Sequence, residues 1–180
     1  NLWYLNTDAS AAEEMVGSFD ADVVICVEEL ASVRDSVPAG WNQLVFHRFD
    51  PPDGYEIVVR SPHPILHVGD VEAGSRAFPL IVVETPSGPT TVVPVHTSAP
   101  VTAMKVRKWK RQLRELAVKL PSKVADGMPL VVAGDFNASV THGPFRRLVG
   151  HTGLFDAAQW HRVAWKGTWG PPRLRFPVLA

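Results

Sequence analysis

Apolar positions recur along this chain with two periods, and the periods divide it into helices and strands. From Thr102 to Leu120 the apolar residues Val106, Trp109, Leu113, Leu116 and Leu120 step by three and four, and Pro121 closes the run. That spacing predicts a helix with one buried face. Ala12, Met15, Val16 and Phe19 also fall at helical spacing, behind a Thr7-Asp8 pair suited to capping. Other apolar stretches are short. Asp22 to Glu28 and Leu130 to Ala133 read as buried strands. Trp41 to Phe49 and Glu56 to Arg60 read as strands around the turn residues Asp50-Pro51-Pro52-Asp53-Gly54. Ala77 to Glu84 and Thr90 to Val95 predict a hairpin through Thr85-Pro86-Ser87-Gly88-Pro89. Hairpins require antiparallel pairing, which excludes a doubly wound parallel sheet. Two sheets packed face to face with helices outside follow from this pattern.

Composition narrows the picture little. The 180 residues are expected to form a single domain over residues 1–180, and 46% apolar content supplies its core. Eighteen basic residues balance 18 acidic ones, so global charge gives no support to general nucleic-acid binding. The one cysteine, Cys26, lies within an apolar strand and reads as a core residue. No run approaches the roughly 20 apolar residues of a membrane span, and no signal peptide is visible.

Candidate chemistry sits at the strand ends. Gly134-Asp135-Phe136-Asn137-Ala138 follows the strand at Leu130. If the backbone stays extended, Asp135 and Asn137 leave the same face. Asp can deprotonate or orient a water, and Asn can hydrogen-bond a phosphate oxygen without adding repulsive charge. The competing reading is a simple Asx turn. Two further strands end in a carboxylate, Glu28, and an imidazole, His96, and Asn1 opens the segment Asn1-Leu2-Trp3-Tyr4-Leu5-Asn6.

In order and spacing, Asn1, Glu28, His96 and Asp135-x-Asn137 resemble the endonuclease/exonuclease/phosphatase superfamily, whose members have the deoxyribonuclease-I-like fold. The opening Asn1 to Asp8 and the late Gly167-Thr168-Trp169 resemble a bacterial branch often carried behind N-terminal membrane helices. The resemblance implies a four-layer α/β sandwich of two mostly antiparallel sheets, and a Mg²⁺-dependent phosphoesterase in which Mn²⁺ can substitute. It implies that Glu28, assisted by Asn1, holds the metal. Asp135 would activate water, and His96 and Asn137 would bind the phosphate. Phosphate esters are the implied substrates, with nucleic acids and phospholipids among the classes, and membrane attachment would run through a preceding segment. The alternative is a non-catalytic phosphate- or partner-binding module with a degenerate phosphoesterase fold.

The chain departs from the family pattern in places. Glu29 follows Glu28 and competes with it for the metal role. The family's late Asp-His elements have no counterpart, since the sequence holds no Asp-His dipeptide and stops at Ala180. It also begins without Met. A fragment cut at both ends, lacking C-terminal strands and inactive or weak by itself, is therefore expected. Outside the site, the cations of the helix from Lys105 to Lys119 read as a solvated face before a phosphate- or membrane-facing one. His63 and His67, beside Pro62 and Pro64, do not form a helical zinc pair. Trp165 and Trp169 read as packing residues before stacking platforms for a base or sugar, and Arg146 and Arg147 as surface charges or phosphate contacts.

Overall fold

The structure, a computed structural model, describes residues 9–18, 20–28, 37–46, 56–122 and 127–162. After helix α1 (Ala9–Gly17) come strands β1 (Val24–Val27), β2 (Asn42–Phe46) and β3 (Ile57–Ser61). Strands β4 (Ile65–Ala73), β5 (Arg76–Thr85) and β6 (Gly88–His96) follow. Helix α2 (Ala103–Lys119) then leads through a short 3₁₀ turn to β7 (Leu130–Asp135), α3 (Gly143–Thr152) and α4 (Ala157–Trp160).

Two sheets form, as the hairpins predict. β1-β3-β2 is antiparallel, with Ile25 opposite Val59 and Leu44 opposite Val59 from the other side. The second sheet runs β4-β5-β6-β7. It is antiparallel except for its last pair, where β7 lies parallel to β6. β5 and β6 pair from Thr85↔Gly88 to Ile81↔Val92 and part before Pro94, which has no N–H for a ladder. The sheets face each other, with β1 against β7, β3 against β6 and β2 against β4. Ile57, Val59, Phe78, Ile81, Val83, Val93 and Val95 fill the space between layers and pack with Leu113 and Leu116 of α2 and Leu120 just beyond it. Each such side chain contributes roughly 1.5–3 kcal/mol by leaving water.

The predicted helix is α2. Thr102 caps it, its hydroxyl accepting the Lys105 N–H at 3.3 Å. Trp109, Leu113 and Leu116 are buried as the period requires. Glu115 fastens the helix to the β4–β5 turn by accepting the Gly74 N–H at 3.0 Å, and it also accepts from Arg111 at 2.6 Å. The Arg111 bond, then the Gly74 bond, hold its carboxyl down at about 2.

Two sequence expectations need amendment. The strand β4 was not anticipated. In α1, Met15 faces solvent rather than the core, while Thr7, Asp8 and Phe19 lie outside the described residues. The turn at residues 50–54 also lies outside them.

Candidate functional site

Three strands from two sheets bring their C-terminal ends to one edge of the sandwich. His96 is the last residue of β6 and Asp135 the last of β7, and the parallel register makes them direct neighbours. Across the sandwich, β1 packs against β7. Glu28 follows β1 immediately, and its Oε1 lies 3.5 Å from His96 Nε2. Both side chains are largely buried, at 12% and 3% exposure. Glu28 takes a left-handed backbone, φ 56°, which costs a non-glycine residue of order 1 kcal/mol.

Local sequence explains why Asp135 arrives there. At Gly134, opposite Val95, the backbone has φ 134°, and a Cβ would collide with the Val95 carbonyl oxygen. Only glycine lets β7 approach β6 so closely at that point. Beyond Asp135 the chain turns instead of staying extended. The Asn137 N–H donates to Asp135 Oδ1 at 2.7 Å, and Asn137 is left-handed, φ 46°. The Asx turn and the candidate site are therefore the same structure, and Asp135 and Asn137 are tied to each other rather than projecting in parallel.

Thr97 clamps this loop from the next strand. Its N–H donates to the Asp135 carbonyl at 3.0 Å and its hydroxyl to the Phe136 carbonyl at 2.6 Å. Its own carbonyl accepts one Asn137 Nδ2 hydrogen at 3.0 Å. The Phe136 carbonyl also accepts Trp109 Nε1–H at 3.0 Å, so α2 pins the loop as well. Asn137 keeps a second amide hydrogen, since a carboxamide nitrogen carries two.

Burial holds His96 neutral at pH 7, its pKa lowered to about 4. Arg76 adds to this effect and Asp135 opposes it. Arg76 is itself buried and donates to the His96 carbonyl. Just beyond, Ser98 and Gln112 form a closed pair: the Ser98 N–H donates to Gln112 Oε1 at 2.9 Å, and Gln112 Nε2 donates to Ser98 Oγ at 3.2 Å. Sequence reasoning missed Arg76, Thr97 and Gln112 as supports of the site. Gln112 carried a signal, a polar residue beside the apolar stripe of α2. Arg76 carried none, because a cation at a strand's start is ordinarily exposed.

A neutral His96 offers Glu28 no counter-charge, so the carboxylate suits a divalent cation. Among the described residues no group of three His, Cys, Asp or Glu side chains could hold a metal ion. Mg²⁺ needs only one or two carboxylates beside its waters. Asn1, the competing Glu29, Trp165 and Trp169 lie outside the described residues. Among the described residues, His63 and His67 each bond a different aspartate, His63 bonding Asp22 at 2.9 Å and His67 bonding Asp70 at 2.9 Å. Cys26 is buried in β1, as expected. Arg146 donates to the Thr141 carbonyl at 2.9 Å, and Arg147 is exposed.

Known proteins share this fold. The family model described as "Endonuclease/Exonuclease/phosphatase family" matches residues 1–178. No curated protein matches the chain in sequence. Among solved structures, sphingomyelinase C from Streptomyces griseocarneus is similar with TM-score 0.58 and 17% identity, over 86% of this chain and 66% of that one. The human nocturnin catalytic domain, with bound sulfate, gives TM-score 0.61 and 15% identity over 82% of this chain and 64% of that one. A doubly substituted beta toxin from Staphylococcus aureus, with bound magnesium ions, gives 0.56 and 15% over 85% and 66%. At these identities the likeness shows the shared fold. The chain spans about two thirds of the length of each of these structures.

Proposed function

This chain belongs to the endonuclease/exonuclease/phosphatase family, and on that premise we propose that it carries the catalytic edge of a Mg²⁺-dependent phosphoesterase. One observation carries the proposal: Glu28, His96, Asp135 and Asn137 meet at one edge, although they come from three strands in two sheets.

Each residue has a role its surroundings permit. Glu28 would hold the cation, with Asn1 assisting. Bound there, Mg²⁺ would neutralise phosphate charge and stabilise the leaving oxygen. Asp135, oriented by the Asn137 N–H, would take the proton of the attacking water as its oxygen bonds to phosphorus. The bond from phosphorus to the leaving oxygen breaks, and that oxygen is protonated from solvent. The remaining Asn137 amide hydrogen and the N–H of neutral His96 would donate to the phosphate oxygens, where charge grows in the transition state. Neutrality matters here, because a neutral imidazole donates a hydrogen bond to phosphate without forming a strong ion pair to Glu28.

The test is hydrolysis of bis-p-nitrophenyl phosphate by the full-length gene product with Mg²⁺ or Mn²⁺, beside Mg²⁺ titration by calorimetry. We expect metal-dependent turnover, and loss of both turnover and metal binding in Glu28→Gln. Loss in Glu29→Gln instead would move the ligand one residue along. Metal binding without hydrolysis of phosphodiesters, phosphomonoesters or phospholipids would overturn the enzyme and favour a phosphate-binding module.

A further inference from the structure

We propose that the outer face of α2 is a docking surface for an anionic phospholipid membrane. The helix carries seven Lys and Arg residues and one acid, Glu115, in a chain whose 18 basic and 18 acidic residues balance overall. Arg111 and Lys119 share that acid. Among the described residues, Lys105, Arg107, Lys108, Lys110 and Arg114 make no ion pair. Stacked like charges destabilise a helix, so this face is not explained by the helix's own stability.

The arrangement of apolar groups on this face selects the occupant. Met104, Arg107, Arg111, Arg114 and Val118 are separated by three, four, three and four residues. They therefore form one stripe about 21 Å long, from the helical rise. The stripe has an apolar side chain at each end and three cations between. Met104 is 62% exposed and Val118 63%, and Val101, just before the helix, is 70% exposed. A nucleic-acid backbone would use the cations and gain nothing from Met104, Val118 or Val101. A lipid surface uses both, with cations at the headgroup phosphates and apolar ends at the acyl boundary. The opposite face, through Trp109, Leu113 and Leu116, is packed in the core, so α2 can lie flat on a surface without unfolding anything.

Docking there would place the catalytic edge beside the bilayer. Thr102 caps α2 only six residues after His96, and Trp109 bonds the Phe136 carbonyl. The docking itself requires no hydrolytic activity, so it stands or falls independently of the proposed chemistry.

The test is co-sedimentation with phosphatidylcholine vesicles made with and without phosphatidylserine. Binding is expected only to vesicles with phosphatidylserine, and should weaken as salt rises. Arg107→Gln/Lys110→Gln/Arg114→Gln, which removes two cations of the stripe and the unpaired Lys110 beside it, should lower partitioning about a hundredfold, at roughly fivefold per cation. Arg147→Gln, off the stripe, should leave it unchanged. Met104→Ser/Val118→Ser should weaken vesicle binding several-fold and leave affinity for a DNA duplex unaltered. Equal binding to neutral and anionic vesicles would overturn the proposal, as would full binding by the triple variant. Stronger binding to duplex DNA than to phosphatidylserine vesicles would overturn it in favour of nucleic acid. Circular dichroism confirms that each variant is folded, and the lipid and salt dependence of the unsubstituted protein decides the matter if one is not.

Discussion

The two ends of β1 meet similar residues in opposite conditions. At the start of β1 and the end of β3, Asp22, Ser61 and His63 form a closed set. His63 Nε2 meets Asp22 Oδ1 at 2.9 Å, the Ser61 hydroxyl donates to the Asp22 carbonyl at 2.6 Å, and the His63 N–H donates to Ser61 Oγ at 3.0 Å. Asn42 Nδ2 adds a bond to the His63 carbonyl at 3.0 Å. At the other end, Glu28 and His96 stand 3.5 Å apart, beyond ordinary hydrogen-bond length, and are more deeply buried. Glu28 and Asn137 hold left-handed backbones there. A carboxylate beside a histidine is thus weak evidence of a site. What separates the two ends is deeper burial together with left-handed backbone strain, held in place by the surrounding clamps.

The largest test of this contrast is catalytic. Asp135→Asn should lower phosphodiester turnover by about 10²–10⁴, the usual contribution of a positioned acid or base. Asp22→Asn, at the satisfied end, should leave turnover within about twofold, since that end only supports the fold. Comparable losses in both would erase the distinction.

Next is the close approach that the site end needs. Gly134→Ala should destabilise the protein by at least about 3 kcal/mol in denaturant unfolding, because both its backbone angle and its contact with Val95 exclude a Cβ.

A smaller effect lies in pH. Folded His96 takes its proton only near pH 4, while its reference value is 6.5. Between these values the unfolded chain binds more protons, so stability rises with pH. This contribution is complete above 6.5 and is lost as pH falls through 4. The slope should reach about 1.4 kcal/mol per pH unit and flatten in His96→Gln, measured by unfolding free energy across that window.

The smallest effect belongs to the satisfied end. A double-mutant cycle of Asp22→Ala and His63→Ala should give a coupling of about 0.2–1 kcal/mol, as for other exposed pairs. A larger value would mean that this end, too, is more than surface structure.

Much of this was legible in the sequence because strands and their terminal residues are local features. The apolar run ending at Asp135, the strand ending at Glu28 and the α2 stripe all stand where their periods put them. β4 was not legible, for a physical reason. A register shift interrupts its pairing between His67 and Gly69, and Leu66, His67 and Val68 are exposed in succession where alternation would bury the middle one. Prolines at 62 and 64 further obscure its start. Within the site, Glu28, His96, Asp135 and Asn137 were readable as strand-end polar groups. Their supports were not, because Thr97, Arg76 and Gln112 act through contacts between elements far apart in sequence.

The parallel pairing of β6 and β7 also bears on how the molecule assembles. β5 and β6 can zip locally through their two-residue turn, on the microsecond scale of hairpins. His96 and Asp135 become neighbours only after the intervening segment, α2 included, has been closed into a loop and docked. Non-local parallel pairing is intrinsically late, since its loop entropy is lost before its contacts form. The edge where chemistry is proposed is therefore the last part of the second sheet to be completed. A nascent chain would hold a folded hairpin layer for some time before His96 and Asp135 came together.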